Sequence, residues 1–152
     1  MANLEEKAKL LVAYGETMME KAGRWQNDVI RDRMGHLSHH EMEAFLKLGR
    51  KGDLTMGELA DGLLLSVSSA TVLADKLEEK GLVVRSRSLD DRRVVRVGLT
   101  EEGAKSYNEF YQMILEFATT VLQSLEEHEQ DLLLGLYRKI GDGFPVVERK
   151  KE

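Results

Sequence analysis

The chain contains no cysteine. Disulfides, thiol redox switches, cysteine nucleophiles and thiolate metal sites are therefore excluded together. Proline is nearly absent, at one residue against 13 glycines in 152, while 42% of the chain is hydrophobic and 32% charged. That balance can bury a core and is unlike a disordered chain. No apolar run approaches the roughly 20 residues that span a bilayer. The first ten residues carry Glu5, Glu6, Lys7 and Lys9 where a signal peptide would be apolar. No phosphate-binding glycine loop, zinc signature or nucleophile–base pair is present, so neither catalysis nor a cofactor is expected. The expectation is a soluble, cytoplasmic protein of one compact domain with helical extensions and no membrane partner.

Positive charge is scarce as well. The net charge is −5, which argues against a general nucleic-acid coat. The balance is uneven: residues 1–65 carry −2, residues 66–96 carry +2 and residues 101–152 carry −5. The middle of the chain is thus the one basic segment, compatible with a single basic contact surface.

What is abundant is helical periodicity. Leu4, Leu11, Met18 and Trp25 recur every seven residues, with Ala8, Gly15, Ala22 and Val29 between them, an a/d seam over four heptads. Such a seam must be buried, either as a packing stripe within the chain or as a subunit interface. Helix starts are clearly marked. Ser38–Glu41 and Thr55–Glu58 fit the capping box, with Leu37/Met42 and Leu54/Leu59 as hydrophobic staples, and Ser66, Thr100 and Ser124 are further N-caps. Glycines at 35, 49, 52, 62, 81, 141 and 143 fall where helices would stop. The predicted helices span 4–34, 38–49, 55–62, 66–80, 101–123 and 125–141.

Between Gly81 and Thr100 the pattern changes to alternating, β-branched runs at 82–87 and 94–99, joined by the polar 88–93. This predicts the only strands, an antiparallel hairpin, in a mainly α chain. Two short helices (55–62 and 66–80) followed by a basic hairpin describe a winged helix-turn-helix. Ala70, Leu73, Ala74 and Leu77 share the packing face of the second helix, while Ser68, Ser69, Thr71, Val72 and Asp75 point elsewhere. Hydroxyls there suit base edges or phosphates, and the helix N-terminus itself favours a phosphate. The hairpin carries Arg85, Arg87, Arg92, Arg93 and Arg96 against Asp90 and Asp91. Guanidinium groups on a two-stranded tip suit a narrow minor groove, whereas the alternative is an ordinary solvated hairpin.

Residues 37–103 resemble the MarR (multiple antibiotic resistance regulator) family of transcription factors. The resemblance is carried by Leu54-Thr55-Met56-Gly57-Glu58-Leu59-Ala60, by Leu77-Glu78-Glu79-Lys80-Gly81-Leu82-Val83, and above all by Asp90-Asp91-Arg92-Arg93 leading to Leu99-Thr100-Glu101-Glu102-Gly103. It implies a homodimeric repressor that reads a pseudo-palindrome in double-stranded DNA. The implied organisation is an N-terminal dimerisation helix (1–36), a winged helix-turn-helix lobe (37–100), C-terminal dimerisation helices (101–144) and a polar tail (145–152). Thr55, Ser66, Ser68, Ser69, Thr71 and Val72 are the expected contacts of the helix-turn-helix. Arg93 would enter the minor groove, oriented by a charge-assisted pair with Asp91. Arg92 and Arg96 are read as phosphate contacts, with Arg85 and Arg87 also facing DNA. Many relatives carry basic residues where this chain has Val67 and Val72. Valine cannot make a bidentate guanine contact, so an A·T-leaning site is expected.

The family also implies a small aromatic or anionic effector, for which Trp25, Arg31, His36, His39, Met42 and Tyr111 are the candidate lining. A metal-responsive regulator is an alternative suggested by His36, His39, His40, Glu41 and Glu43. Neighbouring residues on one helix diverge, however, and His128 is the only other imidazole, so no metal site is expected. The remaining alternative is a winged-helix protein-interaction module without DNA binding, to which exposed valines on the second helix would be suited.

Overall fold

The computed structural model describes residues 3–34, 36–88 and 91–144, with the backbone alone for 26–33. The expected polar tail, Gly35, the Arg31 side chain and the tip residues Leu89 and Asp90 lie outside the described residues. Six helices and three short strands follow in the order α1 (Leu4–Met34), α2 (His39–Lys51), β1 (Leu54–Thr55), α3 (Met56–Leu63), α4 (Val67–Glu79), β2 (Val83–Arg87), β3 (Val95–Leu99), α5 (Glu101–Gln123) and α6 (Glu127–Gly143). The mainly α architecture with a small wing is as the sequence predicts. None of the described helices is by itself long and apolar enough to cross a membrane. The chain divides into two compact units, Met1–Ala104 and Lys105–Glu152.

Capping decides where the lobe's helices begin. Ser38 and Thr55 each form a full capping box, with Glu41 and Glu58 returning to the cap amide, and Ser66 Oγ accepts from the Ser69 amide. Helix ends follow the glycine pattern in part: Gly52 caps α2 at φ 78° and Gly81 follows α4 at φ 72°, but other glycines lie within helices. α2 runs through Gly49 to Lys51, and α3 runs through Gly62 and closes on Leu64 in a left-handed conformation (φ 58°). Gly141 and Gly143 lie inside α6. That helix starts two residues later than predicted, because Glu126 and Glu129 form its capping box while the Ser124 hydroxyl donates to Val121 O instead.

The sheet has one strand more than the hairpin. β2 and β3 pair antiparallel with Arg85 opposite Val97, and β1 adds to the other edge of β3 with Leu54 opposite Val97. The wing is thereby anchored to the start of α3. Phe45, Leu48, Leu59, Leu77, Val83 and Val97 are fully buried and form the centre of the lobe. The predicted packing face of α4, Ala70, Leu73, Ala74 and Leu77, is the buried one. Between α3 and α4 the chain turns through 104°, within the range of a helix-turn-helix.

The Leu-Thr-x-x-Gly sequence joins the wing to α5. The Thr100 hydroxyl donates to Gly81 O at 2.6 Å and accepts from the Gly103 amide at 2.9 Å, while the Thr100 amide donates to Leu82 O. Gly81 takes φ +72°, and a Cβ on Gly103 would overlap the Leu82 carbonyl. Threonine and the two glycines are thus required by one close crossing of backbone.

Candidate nucleic-acid interface

Helix α4 presents a cluster of hydroxyls at its start. Ser66 Oγ lies 3.1 Å from Ser68 Oγ and 2.8 Å from Ser69 Oγ, and all three residues are exposed. The Thr71 hydroxyl is turned back, donating to Val67 O at 2.8 Å. Val67 and Val72 are 54% and 53% exposed, so the outer surface of this helix alternates hydroxyl and aliphatic groups. Thr55 is engaged locally: its amide donates to Glu58 Oε2 at 2.7 Å and its hydroxyl accepts from the Glu58 amide at 3.1 Å.

The five wing arginines separate into two kinds. Arg85 is turned onto α4, its guanidinium donating to Asp75 Oδ1 (2.6 Å), Glu78 Oε2 (2.9 Å) and Thr71 O (3.1 Å). Arg96 donates to Asp53 O at 2.7 Å, across to the loop before β1. Both, expected from the sequence to face DNA, brace the wing through these contacts. Arg87, Arg92 and Arg93 are exposed and have no side-chain partner among the described residues. Asp91 accepts from the Arg93 backbone amide at 2.9 Å, and its own carbonyl accepts from the Val94 amide. The aspartate shapes the turn on which Arg93 is presented, rather than pairing with its guanidinium as expected.

Sequence reasoning missed a shallow groove of about 350 Å³ beside α4, lined by Ser38, His40, Leu65, Ser69, Val72 and Lys76. Lys76 lies seven residues beyond Ser69 and four beyond Val72, so helical spacing alone could have placed it on this face. Of the expected effector residues, His36 and His39 are exposed, Trp25 and Met42 are half-buried, and Tyr111 stacks on Tyr107 with ring centroids 6.2 Å apart. His40, rather than His39, lines the groove. Among the described residues no three histidine, aspartate or glutamate side chains are placed to share a metal ion.

One ion pair, between the buried Glu41 and the partly exposed Lys80, supports the base of the lobe. Lys80 Nζ donates to Glu41 Oε2 at 2.8 Å and to His36 O at 2.7 Å, tying the last turn of α4 to the start of α2. Burial pushes the Glu41 carboxyl up, but the Lys80 ammonium and the Ser38 amide and hydroxyl outweigh it and hold the group down at about 2. Glu58 is also lowered, by the Thr55 amide and hydroxyl and by the charge of Arg96.

Comparison with known proteins bears on this geometry. The MarR family model matches residues 37–95. The chain is 30% identical over 118 residues to the HTH-type transcriptional regulator MhqR of Bacillus subtilis, covering 74% of this chain and 81% of that one. It is 37% identical over 103 residues to the HTH-type transcriptional repressor MdtR of the same organism, covering 68% and 66% of the two chains. Among solved structures, Streptococcus pneumoniae FabT in complex with DNA is similar in fold, with a TM-score of 0.74 at 23% identity over 89% of this chain and 98% of that one.

Proposed function

This chain belongs to the MarR family of winged-helix transcriptional regulators, and we propose that it is a homodimeric, ligand-responsive repressor that reads a pseudo-palindromic operator. The observation that carries the reading is the arrangement of one lobe. The exposed Ser66, Val67, Ser68, Ser69 and Val72 at the start of α4 accompany a wing whose Arg87, Arg92 and Arg93 reach solvent without a partner among the described residues. In this reading α4 enters the major groove, where Ser66, Ser68 and Ser69 meet phosphate or base edges and Val67 and Val72 meet thymine methyls. Arg93 enters the adjacent minor groove from the turn that Asp91 shapes, and Arg87 and Arg92 neutralise phosphates.

Dimerisation is supported by apolar surface that a single chain leaves uncovered. Leu4, Leu11 and Met18 of the α1 seam are 84%, 72% and 58% exposed, and α6 buries none of its described residues. A second copy would cover these faces and set two α4 helices about 34 Å apart, one duplex turn. An effector would act through its differential affinity for the DNA-competent and incompetent spacings, and Trp25, His36, His39 and Met42 remain the candidate contacts in the first unit. MdtR is a repressor by name, which supports the proposed direction of control, and FabT has been captured on DNA, which supports DNA as the partner.

Selection of bound duplexes from a random pool tests the reading, with the native chain and Arg93→Ala compared side by side. An enriched, A·T-leaning inverted repeat for the native chain, lost or broadened in the variant, is the expected result. A folded dimer that enriches nothing at low salt would overturn it. The exposed Val67 and Val72 would then favour the second reading, a module whose α4 docks on a protein.

A further inference from the structure

We propose that Arg85 is a positioning residue for DNA reading: it holds the wing at one fixed separation from α4, so that the major-groove and minor-groove contacts of a half-site are made in register. The inference rests on the proposed roles of α4 and the wing.

Arg85 sits in the middle of β2, and its side chain is only 24% exposed. Its guanidinium meets Asp75, Glu78 and the Thr71 carbonyl at 2.6, 2.9 and 3.1 Å, and its backbone amide donates to the second Glu78 oxygen at 3.2 Å. Asp75 and Glu78 are three residues apart and so lie on the same side of α4. Four hydrogen bonds from one residue therefore span about two turns of the helix, from Thr71 to Glu78. A guanidinium is a rigid, planar fork and can fix the distance between two elements; an ammonium on a flexible stem would satisfy one partner at a time. A direct role on DNA would require Arg85 to leave both carboxylates, exposing two negative charges beside a phosphate backbone.

Charge and position can be separated. Arg85, Asp75 and Glu78 together carry −1, so removing all three charges makes α4 less repulsive to DNA while abolishing the clamp. The experiment uses the full-length dimer and three variants: Arg85→Met, Arg85→Met with Asp75→Asn and Glu78→Gln, and Arg85→Lys. Each is titrated with the duplex selected by the native chain, with the same duplex carrying one extra base pair between half-site core and flank, and with a random duplex.

The native chain is expected to discriminate against the inserted base pair by about tenfold or more, the scale of one good base contact. The triple variant should bind the random duplex at least as tightly as the native chain. It should nevertheless lose about tenfold on the selected duplex and tolerate the insertion. Arg85→Lys keeps the charge and should discriminate to an intermediate degree, which a variant that merely fails to fold could not do. Native discrimination in the triple variant or in Arg85→Lys would overturn the proposal. So would Arg85→Met if it kept the discrimination but lowered the slope of log affinity against log salt by about one, the mark of a lost phosphate contact. If the native chain selects no duplex at all, the DNA reading itself falls, whatever Arg85 does.

Discussion

The lobe and the helices that flank it are built from similar residues, yet only the lobe closes on itself. Apart from Met34 and Phe110, every buried apolar side chain among the described residues lies between Ala44 and Val97. In α6, by contrast, Leu132, Tyr137 and Ile140 are each more than half exposed, as are Leu4, Leu11 and Met18 of α1. Capping sharpens the difference, since α2, α3 and α4 all begin on hydroxyl caps from the lobe's own loops. The lobe is a finished reading head. Its flanks carry apolar faces that are buried only against another surface, which is why the proposed second copy belongs there and not on the lobe.

The largest effect should come from the open faces. Leu136→Asp with Ile140→Asp is expected to give a monomer in sedimentation while the lobe's helical signal and cooperative melting persist. Affinity for an inverted repeat should fall roughly 100-fold or more, because the second half-site no longer binds intramolecularly. A variant that stays dimeric, or whose lobe unfolds with dissociation, breaks the comparison. The closed side gives the next effect. Phe45 is fully buried, and Phe45→Ala should cost about 3–5 kcal/mol in urea unfolding, against about 0.5 kcal/mol or less for the exposed Tyr137→Ala.

The ion pair within the lobe makes a pH prediction. The Glu41 carboxyl is held at about 2 in the folded chain, below its ordinary 4.5. A lowered folded value stabilises above the unfolded value and is lost as the acid form takes over. The contribution is therefore complete above pH 4.5 and disappears between 4.5 and about 2, amounting to as much as about 3 kcal/mol. Glu41→Gln should flatten this part of the stability curve measured by denaturant at a series of pH values. Lys80→Met should flatten it partially, since Ser38 still donates to the carboxylate.

The elements with local causes were legible in the sequence. Heptad spacing placed α1 at 4–34, and capping boxes placed the starts of α2 and α3. Alternation found β2 and β3. What escaped was set by tertiary placement. β1 is two residues long and exists only because β3 runs beside it. Leu64, not Gly62, closes α3, because the chain's route into α4 decides which residue takes the left-handed turn. The wing arginines are the instructive case at the site. Nothing in the local sequence separates Arg85 and Arg96 from Arg87, Arg92 and Arg93; their partners lie ten, seven and 14 residues away for Arg85, and 43 for Arg96. An arginine facing a carboxylate on the next helix and one facing solvent read alike until the fold brings the helix alongside.

The smallest effect separates a cap from a contact within the closed region. Thr55 was read from the sequence as a DNA contact, but both its amide and its hydroxyl are committed to Glu58, at 2.7 and 3.1 Å. Replacing it by alanine removes one of the hydrogen bonds that start α3 and should cost the lobe about 1 kcal/mol, with Thr55→Ser restoring most of it. The dimer should be unaffected, because the loss is confined to the lobe, and DNA affinity of the folded variant should change less than about twofold, well under the cost of a lost base contact. Ser66→Ala is the informative partner. Its hydroxyl caps α4 yet sits in an exposed cluster with Ser68 and Ser69, so stability and DNA affinity should fall together there. A Thr55→Ala chain that keeps its stability but binds DNA tenfold more weakly would show that the hydroxyl leaves its cap on binding, and that the lobe is less finished than its core implies.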